Sequence, residues 1–306
     1  MAVFTTFNHE SLERFLSMFG LGELVSYEPI EAGIENSNYF IRVSQYEEET
    51  EYVLTIVEGL GFDDIPFFTR VISHLFNYGV PVAAPKQTLD GMTMTIFCGK
   101  PALLFPKLPG SHSKNVDTDQ CFSVGIALAD MHKILATETG LTRANAYNPD
   151  WMHETLTQVE GKLDVEDFTL LEQLAYEYSN LHDLENLPTG VIHGDLFRDN
   201  VLFHEGSLAG IIDFYHACED FLIQDLAITI NDWCQVERSI SSELMLALIA
   251  GYESKRPLEA TEREFLPHFQ RAACARFALT RLMSGDESGH LKDPAEFISL
   301  ARTLKD

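Results

Sequence analysis

His193-Gly-Asp-Leu-Phe-Arg-Asp-Asn-Val-Leu-Phe203, followed after a polar turn by Gly210-Ile-Ile-Asp-Phe214, is the stretch on which the reading of this 306-residue chain turns. It holds a carboxylate, Asp195, an amide five residues later, Asn200, and a second carboxylate, Asp213, at the end of the next apolar run. Residues 201–203 and 208–214 have the branched and aromatic content of two short strands joined at His204-Glu-Gly-Ser207, with Val191-Ile192 leading in. A hairpin of this kind brings Asn200 and Asp213 to one point. Hard oxygen donors from few protein groups suit Mg²⁺, whose remaining ligands are waters and phosphates. Asp195 then sits beside the metal, placed to accept a proton from an attacking hydroxyl. Singly, Asp195 and Asn200 are ordinary turn residues that bond their own backbone; the joint spacing is what points to chemistry.

Upstream of this stretch the pattern is strands and turns. A short amphipathic helix is expected over 8–19, with Asn8 or Ser11 as its cap, then strands over 25–30, 39–43 and 52–57. The polar turn 31–38 and the acidic turn 47–51 join them into an antiparallel meander. A helix over 65–78 ends at Gly79-Val-Pro81, and two further short strands are expected on either side of Asp90-Gly91, the second through Met94 to Cys98. Residues 102–110 pass from apolar strand to a Pro/Gly-broken connector, which places a boundary between a β-rich lobe, 1–107, and a helical lobe, 108–306. Helices are expected over 117–135, twice within 150–184, and over 224–238, 241–254, 261–284 and 294–304. The fold class is α+β: a small antiparallel β lobe and a larger helical lobe carrying the hairpin.

Composition narrows the function. Lys plus Arg number 21 against 47 Asp plus Glu, a formal net charge of -26, which repels nucleic acid and anionic membrane. The five cysteines, Cys98, Cys121, Cys218, Cys234 and Cys274, form no CxxC and no zinc-ligand spacing with histidine. No apolar run approaches the roughly 18 residues of a membrane span, and the N-terminal residues lack the basic and apolar regions of a leader. The expectation is a cytoplasmic protein with reduced thiols, acting on a small molecule, with no nucleic-acid or membrane partner.

The order His193, Asp195, Asn200, Asp213-Phe214 follows the protein-kinase pattern of catalytic loop and metal motif, with Gly194 where kinases carry Arg. Its HGDxxxxN form resembles the aminoglycoside phosphotransferase and choline kinase-like branch of the bilobal protein-kinase-like fold. More narrowly the chain resembles the homoserine kinases of that fold, the pseudomonad type. That likeness rests on Ala32-Gly-Ile-Glu-Asn-Ser-Asn-Tyr39, Tyr52-Val-Leu-Thr-Ile-Val-Glu58, Lys100-Pro-Ala-Leu-Leu104, Leu108-Pro-Gly110, Asp213-Phe-Tyr-His-Ala-Cys-Glu-Asp220 and Asp225-Leu-Ala-Ile-Thr-Ile-Asn-Asp-Trp-Cys234. It implies an ATP- and Mg²⁺-dependent phosphotransferase making O-phospho-L-homoserine for threonine biosynthesis. Asp195 is then the base, Asn200 and Asp213 the metal ligands, and Asp225 a buried brace of the loop. Gly33, Glu35, Asn36, Ser37 and Asn38 cover the triphosphate; Thr55, Phe105, Pro106 and Leu108 line the rest of the nucleotide site.

Two departures and one open question remain. Thr55 stands where kinases of this fold carry a strand Lys for the phosphates; the homoserine kinase subgroup shares it, and Arg42 is a candidate substitute. No acidic partner stands out in the helix that follows. For a zwitterionic acceptor, Arg276 or Arg281 would take the carboxylate and Asp232 the ammonium, with Tyr215 beside them. Competing readings are a kinase of another small hydroxyl acceptor (hydroxylysine, choline, methylthioribose or an aminoglycoside) and a non-catalytic nucleotide-binding module.

Overall fold

The computed structural model describes residues 3–31, 35–184, 186–284 and 293–304, and the chain divides into two compact units, Met1–Pro109 and Gly110–Asp306. In the first, Asn8 caps helix α1 (His9–Ser17) by accepting from the Ser11 amide at 2.9 Å. Leu12, Phe15 and Leu16 recur at helical spacing on its buried side. Strands β1 (Glu23–Pro29), β2 (Ser37–Gln45) and β3 (Glu48–Ile56) precede helix α2 (Ile65–Asn77) and strands β4 (Thr95–Phe97) and β5 (Lys100–Pro106). They form one antiparallel sheet in the order β1-β2-β3-β5-β4.

Strand alternation gives this sheet two unlike faces. Tyr39, Ile41 and Val43 of β2, Tyr52, Leu54 and Ile56 of β3, and Ala102 and Leu104 of β5 pack with α1 into one buried cluster. Asn38 and Thr55, directly paired across β2 and β3, and Leu103 and Phe105 of β5 belong to the opposite face. The acidic turn is tighter than the sequence suggests: Tyr46-Glu47 alone makes it, at φ 55° and 68°, and Glu48 already pairs with Gln45. The late hairpin also closes elsewhere, at Cys98-Gly99 (φ 53° and 78°). The turn at Asp90-Gly91 forms, with the Thr88 amide on Met92 O at 2.8 Å, but no strand precedes it. Pro81 and Pro85 withhold the amide donors such a strand needs.

The second unit runs α3 (Thr118–Leu135), α4 (Pro149–Val159), α5 (Val165–His182), β6 (Thr189–Ile192), β7 (Val201–His204), β8 (Ser207–Ile211), β9 (Cys218–Phe221) and α6 (Leu222–Trp233). It continues with β10 (Gln235–Val236), β11 (Ser239–Ile240), α7 (Ser242–Glu253), α8 (Ala260–Ser284) and α9 (Pro294–Thr303). Every residue of α6 is buried, which makes it the central post of this unit. It ends at Trp233, short of the expected 238, because Glu237-Arg238 (φ 49° and 66°) turns the β10–β11 hairpin. Helices α3 and α7 touch backbone to backbone: a Cβ on Gly125 would lie 2.0 Å from Leu248 O, and one on Gly251 2.0 Å from Phe122 O. The single hairpin expected around 191–214 is two ribbons, β6 with β9 and β7 with β8. Among the described residues no helix is long and apolar enough to cross a membrane.

Candidate active site

The loop between β6 and β7, residues 193–200, lies over α6 and is held by it. Asp225 and Asp232 are seven residues apart, two helical turns, and so share one side of the helix. Asp225 Oδ2 accepts the His193 amide at 2.7 Å and its Oδ1 the Gly194 amide at 2.9 Å. Asp232 Oδ2 accepts both the amide (2.7 Å) and Nε (3.2 Å) of Arg198, and Trp233 Nε1 donates to Leu196 O at 3.1 Å. From below, His132 of α3 links Asp225 (3.0 Å) to the Tyr252 hydroxyl (2.8 Å). Burial pushes the Asp225 carboxyl up, but the bonds from His132 and the loop outweigh it and hold it below the usual range. Gly194 has φ +77°, and a Cβ there would stand 2.8 Å from His216 O, so only glycine fits between His193 and Asp195.

The loop brings together what the spacing predicts. Asn200, only 7% exposed, donates from Nδ2 to Asp195 O at 2.8 Å and to Asp195 Oδ2 at 3.0 Å. Those two bonds turn its Oδ1 the other way. Asp213 stands two residues past the end of β8, not within the strand as expected, in the left-handed region at φ 64°, ψ 63°. A non-glycine residue held there is strained backbone, of the kind that clusters at functional sites. Burial pushes the half-buried Asp195 carboxyl up to about 7, against His216 and Arg276, which lower it. Burial likewise holds the His193 imidazole down at about 4; neutral, it donates from Nε2 to Ile212 O (3.1 Å) and accepts the Asp195 amide on Nδ1 (3.2 Å). The Asp213 carboxylate and the Asn200 amide oxygen are hard donors, and their small number fits a divalent cation that takes its other ligands from water and phosphate. Among the described residues no three His, Cys, Asp or Glu side chains form a metal centre of their own.

In the first unit the expected nucleotide residues separate by sheet face. Thr55, only 5% exposed, donates its hydroxyl to Asn38 Oδ1 at 2.7 Å on the face opposite α1, which Phe105 shares. Ser37 points the other way and is fully buried: its oxygen accepts the amides of Phe4 and Thr5, both at 2.9 Å, and donates to Glu58. Lys100 closes that node on Glu58 and Thr5. Asn36 Oδ1 accepts the Glu58 amide at 3.1 Å. Ser37 and Asn36 thus anchor the end of turn 31–38 with their side chains, while Gly33 lies outside the described residues. Pro106 ends β5 opposite Tyr52, and Leu108 is half-buried just beyond it. Arg42 is exposed and paired with Glu51 (3.1 Å) and Glu49 (3.7 Å), which ties up the cation offered as the substitute for the missing Lys.

The residues nominated for the acceptor also divide. Arg281 donates from Nη1 to Asp293 O and to Glu296 Oε2, each at 2.9 Å, and covers the Phe297 ring. Arg276 is 3% exposed and donates from Nη1 to Gly194 O at 2.5 Å. Asp232 is committed to Arg198, and Tyr215 follows Asp213 in the short turn Phe214–His216. Asn231 faces the core, exchanging amide bonds with Gln270. Sequence reasoning missed the bracing by Asp232, Trp233 and His132. The available signal was the seven-residue spacing of Asp225 and Asp232 in an otherwise apolar helix.

Known proteins resemble the chain over nearly its whole length. Residues 26–268 match the model of the phosphotransferase enzyme family. The chain is 38% identical to a homoserine kinase from Neisseria meningitidis serogroup B, covering 99% of this chain and 100% of that one. It is 38% identical to a homoserine kinase from Pseudomonas aeruginosa, covering 97% and 94%. Among solved structures it resembles an amicoumacin kinase in complex with AMP-PNP, Ca²⁺ and Ami (TM-score 0.74, 19% identity, covering 97% and 92%). It also resembles a spectinomycin phosphotransferase (TM-score 0.68, 15% identity, covering 99% and 96%). At those identities the solved structures speak for the α+β kinase-like fold, while the near full-length relatives narrow the assignment. The chain belongs to the phosphotransferase enzyme family and, within it, to the homoserine kinases.

Proposed function

We propose that the protein transfers the γ-phosphoryl group of ATP to the side-chain hydroxyl of L-homoserine, giving ADP and O-phospho-L-homoserine, a step of threonine biosynthesis. The observation that carries the chemistry is the Asp195–Asn200–Asp213 constellation, with one Asn200 amide nitrogen bonding both the backbone and the carboxylate of Asp195. Asp195 accepts the hydroxyl proton as the oxygen attacks phosphorus; the Asn200 bond fixes which carboxylate oxygen does so. Asn200 Oδ1 and the Asp213 carboxylate would hold Mg²⁺, which would screen the phosphate charge. In the first unit, Asn38, Thr55 and Phe105 serve the nucleotide from their shared face, with the Pro106 carbonyl and Leu108 amide meeting the adenine edge. The described end of the turn, residues 35–38, would serve the phosphates with backbone N–H groups.

The test is product identification by ³¹P NMR with MgATP and L-homoserine. Expected are equal amounts of ADP and a phosphomonoester on the homoserine side-chain oxygen. ADP with only inorganic phosphate would make the protein an ATPase and defeat the reading.

A further inference from the structure

Arg276 was expected to meet an acceptor carboxylate, yet its surroundings describe a different task. It projects from α8, is 3% exposed, and lies within 4.3 Å of the Tyr147 ring and 4.4 Å of the Phe277 ring. Aromatic faces of this kind steady a guanidinium and fix its plane. Its Nη1 donates to Gly194 O at 2.5 Å, and its Nε is buried with no hydrogen-bond partner among the described residues. The neighbouring arginines are neutralised by carboxylates: Arg198 by Asp232, Arg281 by Glu296. Arg276 makes no such ion pair among the described residues: its charge acts on the Asp195 and Asp220 carboxyls from further off, and the hydrogen bond it makes is to the loop.

What it holds is the peptide that leads into Asp195. The Gly194 N–H is on Asp225 of α6, and its C=O is on Arg276 of α8. The intervening residue is in the left-handed region, where His216 O leaves no room for a Cβ. The Gly194–Asp195 peptide is thus bonded on both sides, its C=O on Arg276 and its N–H, that of Asp195, on His193 Nδ1 at 3.2 Å, while the preceding peptide is pinned to Asp225; the direction of the Asp195 side chain follows from it.

We infer that Arg276 is a positioning residue of the phosphotransfer: it sets the Gly194–Asp195 peptide from below and does not bind the acceptor. The inference rests on the phosphotransfer reading above but not on the identity of the acceptor. Two variants test it. Arg276→Ala removes donor and charge and leaves the space between the two rings open, and Arg276→Lys keeps the charge without the planar fork. Steady-state rates, KM for L-homoserine and MgATP, and thermal unfolding are measured for each, with and without added guanidinium chloride at millimolar, non-denaturing concentration.

The expected result is a fall in kcat of about 10- to 100-fold, the scale of a misplaced catalytic group, with both KM values within about threefold of the parent. Guanidinium should restore part of the rate of Arg276→Ala, which lost fold stability would not allow. A rise in KM for L-homoserine with kcat preserved would overturn the inference and return Arg276 to the acceptor. Unchanged kinetics, or failure of both variants to fold, would also overturn it. Should the parent protein itself not turn over L-homoserine, the acceptor assignment fails separately, and the variants are compared by their background hydrolysis of MgATP.

Discussion

Loop 193–200 and the strand pair β2–β3 both present polar side chains for chemistry, but they are held by different physics. The loop's own regular structure is one 3-10 turn, Arg198–Asn200; Asp225, Asp232, Trp233 and Arg276, on two helices, bond its backbone at five points. Asn38 and Thr55 need no such cradle, because the unbroken register of β2 on β3 sets them opposite each other on one face. In the loop, position depends on individual buried residues, so single substitutions should be severe. In the sheet, position is shared over a ladder of backbone bonds, and single side chains should matter less.

The most severe test of that contrast is Asp195→Asn. It keeps the shape of the loop and removes the proton acceptor, and kcat should fall by about 10²–10⁴ while MgATP binding, followed by calorimetry, stays near the parent value. Parent-like turnover would take Asp195 out of the mechanism. Next in size is Asp225→Asn, which should lower stability by about 3 kcal/mol or more, since a fully buried carboxylate accepting two loop amides and His132 loses its charge. Urea denaturation measures it, and a change within about 0.5 kcal/mol would mean that α6 is not what holds the loop.

The cradle should also carry a pH signature. His193 is buried neutral, its imidazole held at about 4 against an ordinary 6.5, so below 6.5 the unfolded chain binds a proton that the folded chain refuses. Its contribution is therefore fully present above about 6.5 and lost as pH falls toward 4, by as much as roughly 3 kcal/mol. Stability flat through that window, or an NMR titration of His193 near its ordinary value, would contradict the burial argument. The smallest effect belongs to the sheet. Thr55→Val removes the 2.7 Å bond to Asn38 and should change stability by about 1 kcal/mol and the KM for MgATP by less than about threefold. A loss of activity comparable to Asp195→Asn would erase the distinction between the two regions.

The same contrast governs what could be read from the sequence. The meeting of Asn200 with Asp195 was legible from their spacing in the loop, and the meander was legible from strand alternation. Turn positions were less so: Tyr46-Glu47, Cys98-Gly99 and Glu237-Arg238 all adopt left-handed pairs, and only one of the six residues is glycine. The two faces of the sheet depend on register, which a list of turn residues does not contain; hence Ser37, named with Asn38, turned out to face α1. The roles of Asp232, Trp233 and Arg276 were illegible for a plainer reason. Each meets the loop from more than thirty residues away in sequence, and a buried polar side chain shows its partner only when the tertiary structure brings the two together.

The most direct test of the central claim is acceptor competition: kcat/KM with MgATP for L-homoserine against L-serine, L-threonine, hydroxylysine, choline, ethanolamine, spectinomycin and kanamycin. The account predicts that L-homoserine is preferred by at least about 10²-fold over each. Preferential phosphorylation of any other acceptor would contradict it, leaving the catalytic loop in place and the assignment of its substrate wrong.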